Sequence, residues 1–203
     1  MKKVLNLYAG LGGNRKLWKD VSVTALETNK EVAKVYKELF PDDLLINDDA
    51  HDFLLKHVDE YDFIWSSPPC QSHSRMMKAT RHKVRKYPDL TLYQEIIFLQ
   101  NFSKGKWVVE NVKPYYTPLI APTAVIGRHY FWSNFKISSF ELESPKGFIN
   151  AGTVSEANKL KEWLGIHYDG NIYFDGNHCP GQVLRNCVHP LLGEHVFHYS
   201  EVR

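Results

Sequence analysis

The chain has little cysteine, three residues in 203, and no stretch approaching eighteen consecutive apolar residues. Three thiols cannot all pair with one another, so a disulfide-stapled scaffold is excluded and reduced cysteines are expected. Without a long apolar run there is no candidate membrane-spanning helix. Met1-Lys2-Lys3 and the residues after them offer neither a long apolar segment nor a small-residue cleavage site, and a soluble, cytoplasmic protein is expected. Internal repeats and low-complexity tracts are missing, which excludes solenoids. Cys179, Cys187 and the histidines near them lack CxxC or HxxxH spacing, so no metal is expected. Net charge is only +2, which says little about partners.

What is present is a core. Apolar residues make up 43% of the chain, with 11 Phe, 11 Tyr and 5 Trp, enough for one domain or one with a small appendage. The charge is also unevenly placed. Arg75, Lys78, Arg81, Lys83, Arg85 and Lys86 stand within twelve residues that hold no acid, and the rest of the chain, 19 basic against 23 acidic side chains, sums to −4. Two readings are open: a localised contact with a polyanion, or a solvated surface run.

Short apolar runs alternate with helical spacings. Residues 4–8, 21–27, 44–46, 61–65 and 107–109 read as strands, 30–40 and 92–102 as helices, with a short helix over about 15–19. Asn29 is suited to cap the helix at 30 and Pro41 to stop it. Each strand closes on a polar or glycine-rich loop, which predicts an α/β protein with a parallel sheet and a ligand at the strands' carboxyl ends. Beyond Asn111 the pattern breaks at Pro114, Pro118 and Pro122. Residues 129–150 read as strands, about 155–163 as a helix, and 183–196 as a strand or helix returning to the sheet.

Three of these strand ends carry chemical groups. Ala9-Gly10-Leu11-Gly12-Gly13 allows backbone to approach a ligand closely, and Glu27 is placed to accept ribose hydroxyls, although a tight structural turn explains the glycines as well. Pro68-Pro69-Cys70-Gln71 ends the fourth strand with the basic run directly after it. Those polar and cationic surroundings are expected to favour the thiolate and thus a nucleophile. Glu110 ends the fifth strand, on the same sheet edge, and is a candidate acid or hydrogen-bond partner to the same substrate.

Asn6-Leu7-Tyr8-Ala9-Gly10-Leu11-Gly12-Gly13, Pro68-Pro69-Cys70-Gln71, Glu110-Asn111-Val112, Arg128-His129-Tyr130 and Arg185-Asn186-Cys187-Val188 follow one another as they do in DNA cytosine-5 methyltransferases. The chain resembles the small phage or restriction-modification members of that family. The resemblance implies a Rossmann-like fold that depends on S-adenosylmethionine, with a small, partly β target-recognition lobe. It divides the chain into a catalytic core over 1–132, a lobe over 133–182 and a return segment over 183–203. It makes Cys70 the nucleophile, Glu110 the residue bonded to N3 and the amino group of the base, and Arg128 the contact to the cytosine carbonyl. The cofactor falls to Tyr8, Ala9, Gly10, Leu11, Gly12, Gly13, Glu27, Thr28, Asp49, Ala50, Pro69, Leu92, Asn186 and Val188, with Asp48 as the alternative to Asp49 at the adenine. Duplex DNA falls to Gln71, Ser74 and the six basic residues. A monomer is expected, and a cognate restriction endonuclease or a second subunit are the protein partners the resemblance suggests.

The family's Gln and first Arg before Arg128 fall on Ala124 and Ile126, His73 stands where Phe is common, and Arg185 replaces the usual Gly. Rival readings are a tRNA cytosine-5 methyltransferase, which shares the Pro-Pro-Cys-Gln and Glu-Asn-Val patterns, and a DNA-binding paralogue or half of a split enzyme. The Cys-Phe-Thr element of the tRNA enzymes is missing. A nicotinamide oxidoreductase explains the glycine loop but neither of the later motifs.

Overall fold

The computed structural model describes residues 1–75, 87–143, 153–174, 177, 179 and 181–202. Seven strands form one sheet: β1 (Lys2–Leu7), β2 (Val21–Leu26), β3 (Leu44–Ile46), β4 (Phe63–Ser66), β5 (Lys106–Val112), β6 (Ala124–Ile126) and β7 (His129–Ser133). Their order is β3-β2-β1-β4-β5-β7-β6, with the first five parallel and β7 antiparallel to both β5 and β6. The helices are α1 (Lys30–Leu39), α2 (Ala50–His57), α3 (Thr91–Phe102), α4 (Val154–Leu164), α5 (Gln182–Asn186) and α6 (Pro190–Glu201).

The central strands are buried on both faces, as a covered parallel sheet requires. Val4, Val23, Ala25, Phe63, Trp65 and Val108 point into one core with Trp18, Tyr36 and Val196. Their neighbours Leu5, Leu7, Leu26, Ile64 and Val109 point into another with Leu54, Ile96 and Leu99. Strand order reverses at β1 and β4, so the crevice at their carboxyl ends is the place for a ligand.

Helix boundaries follow from their caps. The Asn29 side chain accepts from the Glu31 and Val32 amides, and the Asp49 side chain from that of Asp52. At α4, Thr153 and Glu156 form a reciprocal capping box, and Gly165 ends the helix at φ +60°. Pro190 opens α6 at a position where no amide partner is lost.

The structure departs from the sequence reading in four places. Residues 15–19 form no helix: 15–17 are turns, the Arg15 and Lys16 amides bonding back to Gly12 and Gly13, and 18–19 are irregular. Strand β5 runs on through Glu110 to Val112 because β7 pairs with that stretch, Glu110 opposite Phe131. Of the residues 129–150 read as strands, His129–Ser133 form β7 and 134–143 is irregular although Ile137 is buried, while 144–150 lie outside the described residues. The described residues from 134 to 181 hold one helix, α4, and no strand; α4 packs Ala157, Leu160 and Leu164 against Leu11, Val32, Val35 and Leu184. The return segment is two helices parted by Cys187-Val188-His189, and Gly193 of α6 lies so close to Asn14 that a Cβ there would sit 2.2 Å from its carbonyl oxygen.

Candidate active site

The turn after β1 is shaped by backbone that few side chains tolerate. Tyr8, Gly10 and Gly12 have φ of +56°, +55° and +72°. A Cβ at Gly10 would meet nothing within 4 Å, so that face of the turn looks into open space. The space is a cavity of about 290 Å³. Tyr8, Ala9, Gly10, Leu11 and Gly13 line one side, Glu27 and Thr28 another, Pro69, Cys70, Gln71, Glu110 and Arg128 a third, and Asn186 and Val188 the last. The structure thus brings together fourteen of the residues singled out from sequence.

Glu27 at the end of β2 accepts from the Gly10 amide at 3.0 Å and the Asn29 amide at 2.8 Å. Burial pushes its carboxyl up, opposed by those amide bonds. Gly13 is required by a close approach: a Cβ would sit 2.3 Å from the Val188 carbonyl oxygen. Gly13→Ala is therefore expected to lose about 1–3 kcal/mol of stability by overpacking, read as a lowered Tm, whereas Gly10→Ala meets no such wall and is opposed only by its positive φ. An unchanged Tm for Gly13→Ala would place the 187–188 segment elsewhere.

Not every expected residue faces this cavity. Gly12 packs beneath the Phe40 and Tyr36 rings, and a Cβ there would sit 2.3 Å from Phe40. Ala50 is buried in the second core. Asp49 and Leu92 line an adjacent cavity of about 370 Å³ that shares Tyr8, Pro68 and Pro69 with the first. There Asp49 is engaged as the α2 cap, while Asp48 is exposed and accepts from the Asp49 amide. Ser74 bridges to Pro114 and Arg75 is exposed, and neither lines the cavity. Lys78, Arg81, Lys83, Arg85 and Lys86 lie outside the described residues.

The catalytic candidates sit in a dense polar network. Glu110 is 6% exposed, and its Oε1 lies 2.5 Å from His129 Nδ1 while its Oε2 accepts from the Ser67 hydroxyl at 2.8 Å. Ser67 in turn accepts from the Trp65 indole at 2.8 Å. Burial pushes the Glu110 carboxyl up, but His129, Ser67 and Arg128 outweigh it and hold the group below its ordinary range. The Asn111 side chain donates to the Pro68 carbonyl at 2.9 Å, tying the β5 end to the loop that presents Cys70. His73, where Phe was expected, is buried against the Tyr116 hydroxyl at 2.6 Å. The expectation of an activated thiolate is corrected here. Burial raises the Cys70 thiol and the Glu110 carboxylate raises it further, with Arg128 as the opposing cation. Arg128 itself donates to the Arg185 carbonyl at 2.6 Å.

Sequence reasoning missed Ser67, His129 as a partner of Glu110, and Glu95. Glu95 is fully buried on α3 and accepts from the hydroxyls of Tyr8 and Ser66 at 2.5 Å each, with His51 at 3.3 Å. Its signal was available: Leu92, Glu95 and Leu99 share a helix face, so an acid interrupts an apolar stripe. His129 gave none, because it meets Glu110 only through the β5–β7 register.

Sheet order, the crevice at its carboxyl edge and the glycine turn define a Rossmann-like, S-adenosylmethionine-dependent methyltransferase fold. Entamoeba histolytica methyltransferase EhMeth matches it at a TM-score of 0.58 over 98% of both chains, at 12% identity. Residues 2–118 match the model of the family C-5 cytosine-specific DNA methylase, and the chain belongs to that family. A curated relative, the tRNA (cytosine(38)-C(5))-methyltransferase of Spodoptera frugiperda, is 34% identical over 80 residues, which cover 36% of this chain and 24% of the relative. A structure of Spodoptera frugiperda DNMT2 is 30% identical with a TM-score of 0.40, over 56% of this chain and 36% of its own. The chain thus spans about a quarter to a third of the length of these relatives. Among the described residues no helix is long and apolar enough to cross a membrane, and no group of three His, Cys, Asp or Glu could hold a metal ion.

Proposed function

We propose that this chain methylates C5 of a cytosine flipped out of duplex DNA, with Cys70 as nucleophile and Glu110 as its partner at the base. The observation that carries the reading is the convergence of Cys70, Glu110 and Arg128 on the cavity that the glycine turn and Glu27 also line. The cavity fits the cofactor by its own chemistry. The Glu27 carboxylate, fixed by two amides, suits a ribose diol, and the open side of Gly10 leaves room for the methionine part. Tyr8, Ala9, Leu11, Gly13, Thr28, Pro69, Asn186 and Val188 would hold the rest, and Asp49 and Leu92 in the adjoining cavity the adenine. When bound, S-adenosylmethionine supplies the electrophilic methyl group that C5 accepts.

The residues of the chain make C5 able to accept it. Cytosine C5 is a poor nucleophile until a group adds at C6. Cys70 loses its proton to solvent and adds Sγ to C6, and Glu110 holds a proton against N3 that neutralises the ring charge as it forms. The ring is then enamine-like at C5. Once C5 has been methylated, loss of its proton expels Cys70 and restores the ring. The ring edge is unreachable inside a duplex, so the nucleotide must leave the stack at a cost on the order of a few kcal/mol. Contacts from Arg128, Gln71 and the basic run would offset that cost, and residues 133–182 would read the target.

DNA is favoured over tRNA by the missing Cys-Phe-Thr element, while the basic run suits the phosphate backbone of either. A tRNA reading has the curated relative in its favour, since that protein is named for its action on tRNA. Incubation with methyl-labelled S-adenosylmethionine and either duplex DNA or tRNA separates them. Label in C5 of DNA cytosine is the expected result, at a short site of about two to four base pairs given the few side chains available for readout. Label in tRNA alone would overturn the DNA assignment.

A further inference from the structure

From the pair that His129 and Glu110 form, and resting on the cytosine chemistry proposed above, we infer that His129 is a positioning residue for Glu110 that also stores the proton this carboxyl presents to the base. Two donors reach one carboxylate from opposite walls: Ser67, following β4, at 2.8 Å to Oε2, and His129, opening β7, at 2.5 Å to Oε1. Glu110 and His129 are 6% and 7% exposed, so solvent offers neither a substitute partner nor a ready proton source. Ser67 is itself fixed by the Trp65 indole, which leaves the carboxylate one orientation.

The geometry decides what the pair can do when a base arrives. Addition of a thiolate to C6 turns a neutral ring into an anion, and a bare carboxylate is a poor neighbour for it. One proton held between Nδ1 and Oε1 changes this. It passes from the imidazolium to the carboxylate and from the carboxyl to N3, leaving a neutral imidazole, a carboxylate and a neutral ring adduct. Elimination at C5 and loss of the N3 proton return it. Among the described residues, the charged and titratable groups that face the pair are the Cys70 thiol from the loop after β4 and the Arg128 guanidinium before β7, with Arg185 and Cys187 beside Arg128. None of these is an imidazole, the side chain that can both give up a proton and take it back at a ring nitrogen.

The test is the pH dependence of adduct formation in single turnover, with a duplex carrying 5-fluorocytosine, for the wild type and His129→Gln. Glutamine keeps an N–H donor for Oε1 but holds no titratable proton. The expected rate is about 10²-fold lower at neutral pH, with the alkaline limb moved to lower pH, because a carboxyl must now hold the proton alone. Cofactor Kd and Tm, measured alongside, are expected to be unchanged, and His129→Asn serves if the glutamine variant does not fold. A profile that is merely scaled down, with its limb unmoved, would show a structural role only and overturn the inference while leaving the function intact. A wild type that traps neither DNA nor RNA would overturn the function and the inference together.

Discussion

Cys70→Ser is expected to reduce methyl transfer to background while leaving the affinity for S-adenosylmethionine within a few-fold of the wild type. A serine hydroxyl in this position is a far weaker acid than a thiol, and the neighbouring Glu110 carboxylate, held below its ordinary range by His129, Ser67 and Arg128, is too weak a base to take its proton. The thiol is itself held above its ordinary range by burial and by Glu110, so the side chain sits where only an intrinsically strong nucleophile suffices. The cofactor side of the cavity is built by other elements, chiefly the β1 turn and Glu27, and does not depend on the sulfur. Isothermal titration with S-adenosylhomocysteine and a methyl-transfer assay on the same preparation check both halves. Substantial turnover in Cys70→Ser would mean that another group attacks the base.

Glu110→Gln is the second large effect. Turnover is expected to fall about 10²–10⁴-fold, the range of a positioned acid–base group. The amide removes the acid and also places its own donor against Ser67 or His129, each of which already points a donor or a proton at the site. The loss should appear in kcat, with cofactor Kd unaffected, because Glu27 and the glycine turn are not touched. A Gln variant that turns over like the wild type would remove Glu110 from the chemistry.

Much of this site was legible in the chain because its chemistry is local. Three strand ends carry their functional groups within a few residues of the turn that presents them: Gly10 to Gly13 after β1, Cys70 after β4 and Glu110 near the end of β5. A parallel sheet then puts all three on one edge without further information. Helix limits were legible for the same reason, since Asn29 and Pro41 bound α1 by local hydrogen bonding and φ restriction.

What escaped depends on pairing across the sheet or on burial. The extension of β5 through Val112 exists because β7 lies beside it, and a reversed strand inserted between two others leaves no periodic signature. The same register makes His129 a neighbour of Glu110. The Cys70 environment was misjudged because burial, which no local pattern announces, raises the thiol first; Glu110, 40 residues away, raises it further and Arg128 opposes it. Residues 134–143 look strand-like by composition, yet they pair with no strand and pack as irregular chain around a buried Ile137.

The most direct measurement is mass spectrometry of the full chain after incubation with S-adenosylmethionine and a duplex oligonucleotide containing 5-fluorocytosine. Fluorine at C5 cannot leave as a proton, so a methylated adduct that would otherwise resolve stays bonded to the protein. The expected product is one covalent complex whose mass includes the transferred methyl group, with digestion placing the oligonucleotide on the peptide containing Cys70. An adduct on Cys179 or Cys187, or no adduct while methyl label still enters the duplex, would contradict nucleophilic attack by Cys70.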